Sequence, residues 1–225
     1  MSQSLIERYE GDFLKVCNHY ADFLEDSLKK GERQKFIDWM MLSKNYSLSE
    51  YKKGLFGDPF LYLHCYKIYS KLRSDNNQHH IVLVSGKIGK GKSTLGSQIA
   101  ALCDPSFEMS RICYIPPHLF RRLADSKLSQ ANLIDEGGNF FKARNAMTSL
   151  GKDTSQAFQL VRDLKQIIII CYDEPEKLDK DLIDKIDSAF LKVYDPNERG
   201  NHKFDKYYGF TVNSLDNIKP LLKKK

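Results

Sequence analysis

The chain has 225 residues, 41% of them hydrophobic and 28% charged, with a formal net charge of +6. This composition excludes a disordered or low-complexity chain, and the length suits one α/β domain with a small appendage. No apolar run reaches the roughly 20 residues of a spanning helix, and the start MSQSLIERYEG lacks the apolar stretch of a signal peptide, so a soluble protein of the cell interior with no membrane insertion is expected. The five cysteines (Cys17, Cys65, Cys103, Cys113 and Cys171) have no paired metal-ligand spacing and read as reduced core thiols. The modest positive charge suits a polyanionic partner such as DNA and an ordinary soluble surface equally well.

Residues 1–74 read as an all-helical N-terminal region. Leu5, Ile6, Tyr9, Phe13, Val16, Cys17, Tyr20 and Leu24 recur at intervals of mainly three and four residues, which predicts one long helix ending at Lys30-Gly31. A second helix is expected from Glu32 to about Ser43. Ser47-Leu48-Ser49-Glu50 has the form of a capping box, and Asp58-Pro59 opens a helix ending near Arg73. The polar stretch Ser74 to Gln78 is the internal boundary, leaving residues 79–225 as the second domain.

From His79 onward strands and helices alternate, the pattern of a mostly parallel sheet flanked by helices. The expected strands are Ile81 to Val84, Arg111 to Ile115, Asn132 to Asp135, Ile167 to Cys171 and Phe190 to Tyr194, with Tyr207 to Val212 as a further candidate. Helices are expected from Leu95 to Leu102, from Pro117 through Leu123, from Asp153 or Thr154 through Leu164, and from Asp179 through Ile186. His79, His80 and His118 lack a partner at metal-ligand spacing and suit strand-entry or surface roles.

The segment IVLVSGKIGKGKST, from Ile81 to Thr94, carries the pattern G-x-x-x-x-G-K-[ST] between an apolar strand and a helix. Each part has a physical reason. Glycines let the backbone turn around phosphates, and successive N–H groups at a helix start make an anion nest. Gly86, Lys87, Ile88, Gly89, Lys90, Gly91, Lys92, Ser93 and Thr94 are therefore the candidate ATP-binding loop. Lys92 reaches the β and γ phosphates, and Ser93 is a Mg²⁺ ligand. The fold class that follows is α/β, a P-loop NTPase.

Leu133-Ile134-Asp135-Glu136 supplies the second motif, because acids at the carboxyl end of a neighbouring buried strand lie where open α/β sheets hold their ligands. Asp135 is the metal-linked acid, and Glu136 the group that orients or deprotonates the attacking water. Gly137-Gly138 permits a sharp bend after them. Arg144 and Arg162 are candidates for a cation reaching the γ phosphate of a neighbouring subunit; the alternatives are a solvated or ion-paired arginine, or contact with nucleic-acid phosphate. Cys171, Tyr172 and Asp173 close the fourth strand, where Asp173 or Tyr172 could sense the γ phosphate and a core or capping role is the simpler reading.

From about Ile81 to Val193 the order of elements resembles compact DNA-translocating ATPases of the FtsK and HerA kind, including viral genome-packaging and Zot-like members. The residues that carry this are PPHLF after the second strand, the segment DEGGNFFKARNAMTS, similar to a DEAG-type motif, and CYDEPEKLDKDLIDKI at the fourth strand. Two departures stand out: Gly137 occupies a place where alanine is common, an exchange expected to be harmless, and Cys171-Tyr172 stands where a glutamine-like sensor is common. The resemblance implies a ring-forming homo-oligomeric motor on double-stranded DNA, driven by Mg²⁺-dependent ATP hydrolysis and virus-associated if it packages genomes. Two other classes remain open: a nucleotide-dependent switch or assembly protein, and a small-molecule kinase, which the adjacent acids and the want of an arginine-rich lid disfavour.

Overall fold

The computed structural model describes residues 3–42, 59–74, 79–86, 91–138, 161–173, 178, 180–192 and 207–211. The capping box at Ser47, together with Asp58, Asp153, Thr154 and Asp179, lies outside them. The chain divides into two compact units, one of residues 1–71 with 101–105 and one of residues 72–100 with 106–225.

The first unit contains α1 (Gln3–Phe23), α2 (Arg33–Leu42) and most of α3 (Pro59–Arg73). Phe13, Cys17, Ala21 and Leu24 are buried at intervals of three or four residues and form one face of α1 and the turn that follows it. Trp39 on α2 sits among aromatic rings of α3, with centroids 6.2 Å from Tyr62 and 5.5 Å from Tyr66, while Phe36 meets Tyr66 edge-on at 5.3 Å. Such pairs contribute about 0.5–1.5 kcal/mol each beyond the burial of their area. Within the same unit the Cys103 thiol donates to the Cys65 carbonyl at 3.9 Å.

Among the described residues the second unit holds a six-stranded sheet in the order β2-β3-β4-β1-β5-β6. Its strands are β1 (His80–Ser85), β2 (Ile112–Cys113), β3 (Ala131–Ile134), β4 (Ile167–Tyr172), β5 (Ser188–Lys192) and β6 (Tyr207–Thr211). The first five pair in parallel, and β6 runs antiparallel to β5. α4 (Lys92–Cys103) follows β1, α5 (Pro116–Asp125) follows β2, and the short α6 (Lys180–Ile183) precedes β5. Every residue of β1, β3 and β4 is buried, as strands covered on both faces must be, which is why IVLV in β1 and IIIIC in β4 are continuous apolar runs rather than alternating ones. Ile81, Leu83, Ile134, Ile168, Ile170 and Tyr172 share one face and pack with Leu119 and Leu123 of α5.

Two strands differ from expectation. β2 is only two residues long: Met109–Arg111 forms a tight helical turn, and the Arg111 guanidinium donates to the Ser106 carbonyl at 2.9 Å, which holds the chain out of the ladder until Ile112. β5 begins at Ser188, two residues early, because Asp187 is pinned to β1. The Ile81 N–H donates to Asp187 Oδ2 at 2.9 Å and the Asp187 N–H donates to the Ile81 carbonyl at 2.9 Å. Beside them His80 Nε2 lies 2.8 Å from Ser188 Oγ. At the same amino end of the sheet, buried Asn132 donates to Gln166 Oε1 at 2.9 Å.

Candidate functional site

The site lies at the carboxyl ends of β1, β3 and β4. β1 ends at Ser85, Gly86 begins the loop, and Gly91 takes φ +79° immediately before α4, a left-handed conformation that favours glycine. The Leu95 N–H donates to the Gly91 carbonyl at 2.9 Å, so Gly91 already accepts the first intrahelical bond of α4. Lys92, Ser93 and Thr94 form the first turn. Lys87, Ile88, Gly89 and Lys90 lie outside the described residues.

The loop and the acid motif meet directly. Ser93 Oγ donates to Asp135 Oδ1 at 2.8 Å across 42 positions of sequence. A hydroxyl beside a carboxylate is a hard oxygen pair of the kind Mg²⁺ takes when phosphate and water complete its shell, so both proposed metal residues fit that ion.

The backbone around Glu136 is unusual. The Asp135 N–H donates to the Cys113 carbonyl of β2 at 3.0 Å, and the Gly137 N–H donates to the Cys171 carbonyl of β4 at 2.8 Å. In an extended strand, residues two apart carry their N–H groups on the same side, so the chain must reverse between them. It does so at Glu136, whose φ is +64°, a conformation costing a non-glycine residue roughly 1–3 kcal/mol. The result leaves the Glu136 side chain exposed beside half-buried Asp135.

Gly137 is tightly enclosed. A Cβ there would lie 2.9 Å from Ile170 Cγ2 and 3.1 Å from the Cys171 carbonyl oxygen, so the expectation that alanine is harmless at this position is overturned. Across the sheet, a Cβ on Gly96 of α4 would lie 2.9 Å from both Cys171 Sγ and Leu133 Cδ1, the approach that lets α4 settle on β3 and β4. Neither glycine's role was visible in the loop pattern.

Of the two sensor candidates, Tyr172 is buried in the core cluster on the face opposite Cys171, and Asp173 follows β4 half-exposed. The Cys171 thiol is buried and donates to the Lys92 carbonyl at 3.4 Å. Burial raises its pKa well above the ordinary thiol range; Asp135 and Glu136 push the same way, and Lys92 opposes them. All five cysteines are free and buried; desolvation pushes Cys113 up to about 11 and Cys17 up to about 12. Arg162 is exposed five residues before β4, at the amino end of the sheet and away from Lys92 and Asp135. Arg144 lies outside the described residues. No described helix is long and apolar enough to cross a membrane.

No protein-family model and no curated protein matches the chain. Solved structures similar to it include the N-terminal domain of zonular occludens toxin from Neisseria meningitidis, at 14% identity over 64% of this chain and 98% of that one, with a TM-score of 0.42. Another is the genome-packaging NTPase B204 of Sulfolobus turreted icosahedral virus 2 in complex with AMPPCP, at 18% identity over 55% of this chain and 79% of that one, with a TM-score of 0.37. A third is C. elegans PCH-2, at 17% identity over 60% of this chain and 43% of that one, with a TM-score of 0.37. With its phosphate-loop segment between β1 and α4, its acid pair at the end of β3 and five parallel strands in the order β2-β3-β4-β1-β5, the chain has a P-loop NTPase fold.

Proposed function

We propose that the chain is a Mg²⁺-dependent ATPase that works as a homo-oligomer, in ring form, and couples hydrolysis to movement or packaging of double-stranded DNA. The observation that carries the hydrolase reading is the 2.8 Å hydrogen bond from Ser93 to Asp135, which joins the phosphate loop to the acid strand. Lys92 balances charge on the β and γ phosphates, and the amide groups of the loop and of the start of α4 hold the phosphate chain. Glu136 orients a water for in-line attack on the γ phosphorus: the new P–O bond forms as the bond to ADP breaks, and Glu136 takes the water proton. Ser93 and Asp135 would hold Mg²⁺, directly or through its water shell, and the ion supplies neutralisation of the phosphate charge.

The DNA reading draws support from charge placement. Residues 109–128 contain Arg111, Arg121, Arg122 and Lys127 against Asp125 alone, half of the chain's net charge of +6 in twenty residues. They flank β2, next to the strand that bears Asp135, and Arg121 is exposed on α5 with Tyr114 and Ile115 exposed just before it. Duplex phosphates suit such a cluster. Arg144 and Arg162 remain the candidates for a cation supplied to a neighbouring subunit.

The test is ATP turnover with and without duplex DNA, paired with mass measurement in a non-hydrolysable analogue. Glu136→Gln is expected to retain ATP and lose 10²–10⁴-fold in turnover, roughly the contribution of a positioned general base. Lys92→Ala is expected to lose nucleotide binding. Turnover indifferent to DNA, with no DNA binding, would sink the motor reading, and a monomer under all nucleotide conditions would sink the ring.

A further inference from the structure

The carboxyl end of β4 engages both halves of the candidate site through a single residue. The Cys171 carbonyl accepts the Gly137 N–H at 2.8 Å, directly after Glu136, and its thiol donates to the carbonyl of Lys92 at 3.4 Å. Strand alternation sends this side chain to the α4 face and that of Tyr172 to the opposite one. On the α4 face the sulfur is closed in, because Gly96 passes so near that even a methyl group there would lie 2.9 Å from it. Gly96 therefore closes the helix side of the sulfur, and the thiol is held by a backbone carbonyl of the first turn of α4.

The Cys103 and Cys113 thiols also donate to backbone carbonyls, at 3.9 and 3.8 Å, but Cys171 does so at 3.4 Å and joins two segments of the candidate site. It has a partner at each end, one on the loop lysine and one on the acid turn. We infer that Cys171 is a positioning residue that couples the first turn of α4, with Lys92 and Ser93, to the turn that presents Glu136. The inference rests on the ATPase reading and adds the element that keeps its two motifs in register. Nucleotide drawn onto Lys92 pulls on the Lys92 carbonyl, the thiol passes the displacement to β4, and the carbonyl of the same residue passes it to Gly137 and so to Glu136.

The test compares Cys171→Ser, which keeps a donor of nearly the same size, with Cys171→Ala, which removes it; both lose the packing of the sulfur and are expected to melt at similarly lowered temperatures. Below those temperatures Cys171→Ala should lose three- to fivefold in kcat with KM for Mg²⁺-ATP within twofold, the effect of one weak hydrogen bond felt in the transition state, and Cys171→Ser should stay within twofold of wild type. Equal kcat in the two variants overturns the inference. A second readout does not need turnover: the S–H stretching band lost in Cys171→Ser, in an infrared region free of other protein bands, should shift when wild-type protein binds adenylyl imidodiphosphate with Mg²⁺. If wild-type protein fails to hydrolyse ATP, the hydrolase reading falls and this band decides the coupling: a shift supports it, and an unmoved band overturns it.

Discussion

Replacing Gly137 by alanine adds one methyl group at the tightest point of the acid turn. The added carbon would meet Ile170 Cγ2 at 2.9 Å and the Cys171 carbonyl oxygen at 3.1 Å. Ile170 is a fully buried, β-branched residue in the middle of the sheet, so it cannot swing aside, and the second obstacle is backbone. Overpacking of this kind costs about 1–3 kcal/mol. Pushing Gly137 away from β4 also stretches its 2.8 Å hydrogen bond to Cys171, worth about 1 kcal/mol. Against these stands about 0.4–1 kcal/mol gained because alanine restricts the unfolded chain. The clash wins by about 1–3 kcal/mol, which for a chain of this length lowers the melting temperature by roughly 3–10 °C. The same displacement moves Glu136, so turnover should fall in protein that is still folded. Thermal melts followed by circular dichroism, with ATP turnover measured well below both transitions, test this. A Gly137→Ala protein that melts at or above the wild-type temperature and turns over normally would refute the close-packed geometry of the turn.

Gly96→Ala sets about 1 kcal/mol of helix propensity against two 2.9 Å contacts, and the contacts should prevail, so calorimetry is expected to give a melting point a few degrees below wild type; a rise would mean that α4 sits farther from the sheet. His64, desolvated by burial and opposed by Lys67, has its pKa lowered to about 4. The unfolded state therefore binds a proton that the folded state refuses, and stability held above pH 6.5 is lost as pH falls toward 4, by up to about 3 kcal/mol. In His64→Gln, denaturant titrations across that window should show a flatter profile, and an unchanged slope would remove His64 as the cause. If residues 109–128 hold duplex phosphates, Arg121→Ala combined with Arg122→Ala should reduce the slope of log K against log salt by about 2. Duplex binding with an unaltered slope would move the DNA surface elsewhere.

The central strands were legible because residues covered on both faces must be apolar in succession, as IVLV and IIIIC are. Asp58-Pro59 gave its helix start through proline's fixed φ, and the helix begins at Pro59; the helix expected from Pro117 begins one residue earlier, at Pro116. The partnership of Ser93 with Asp135 followed from the loop pattern and the acid-ended strand. Long-range and side-chain effects were not legible. Arg111 has the pattern of a strand residue, yet its side chain bonds back to Ser106, and the start of β5 depends on Asp187 meeting Ile81 across 106 positions. The reversal at Glu136 is dictated by hydrogen bonds to two different strands, which no local pattern encodes. Cys171 read as an ordinary core thiol because nothing in the sequence reveals that its neighbour across the sheet is the carbonyl of the loop lysine.

The place of β1 between β4 and β5 has a consequence for synthesis. Val82 pairs with Ile169 on one side and Ser188 on the other, so the strand that launches the phosphate loop leaves the ribosome 87 residues before its first partner and 106 before its second. At translation rates of about 5–20 residues per second, that is a wait of roughly 4 to 20 seconds for a fully apolar segment with both edges open. A nascent chain stalled before Ile167 would expose IVLV with neither neighbour to receive it. Such a chain is a natural client for a chaperone, and ribosome-bound intermediates of increasing length should acquire nucleotide affinity only after β5 has emerged.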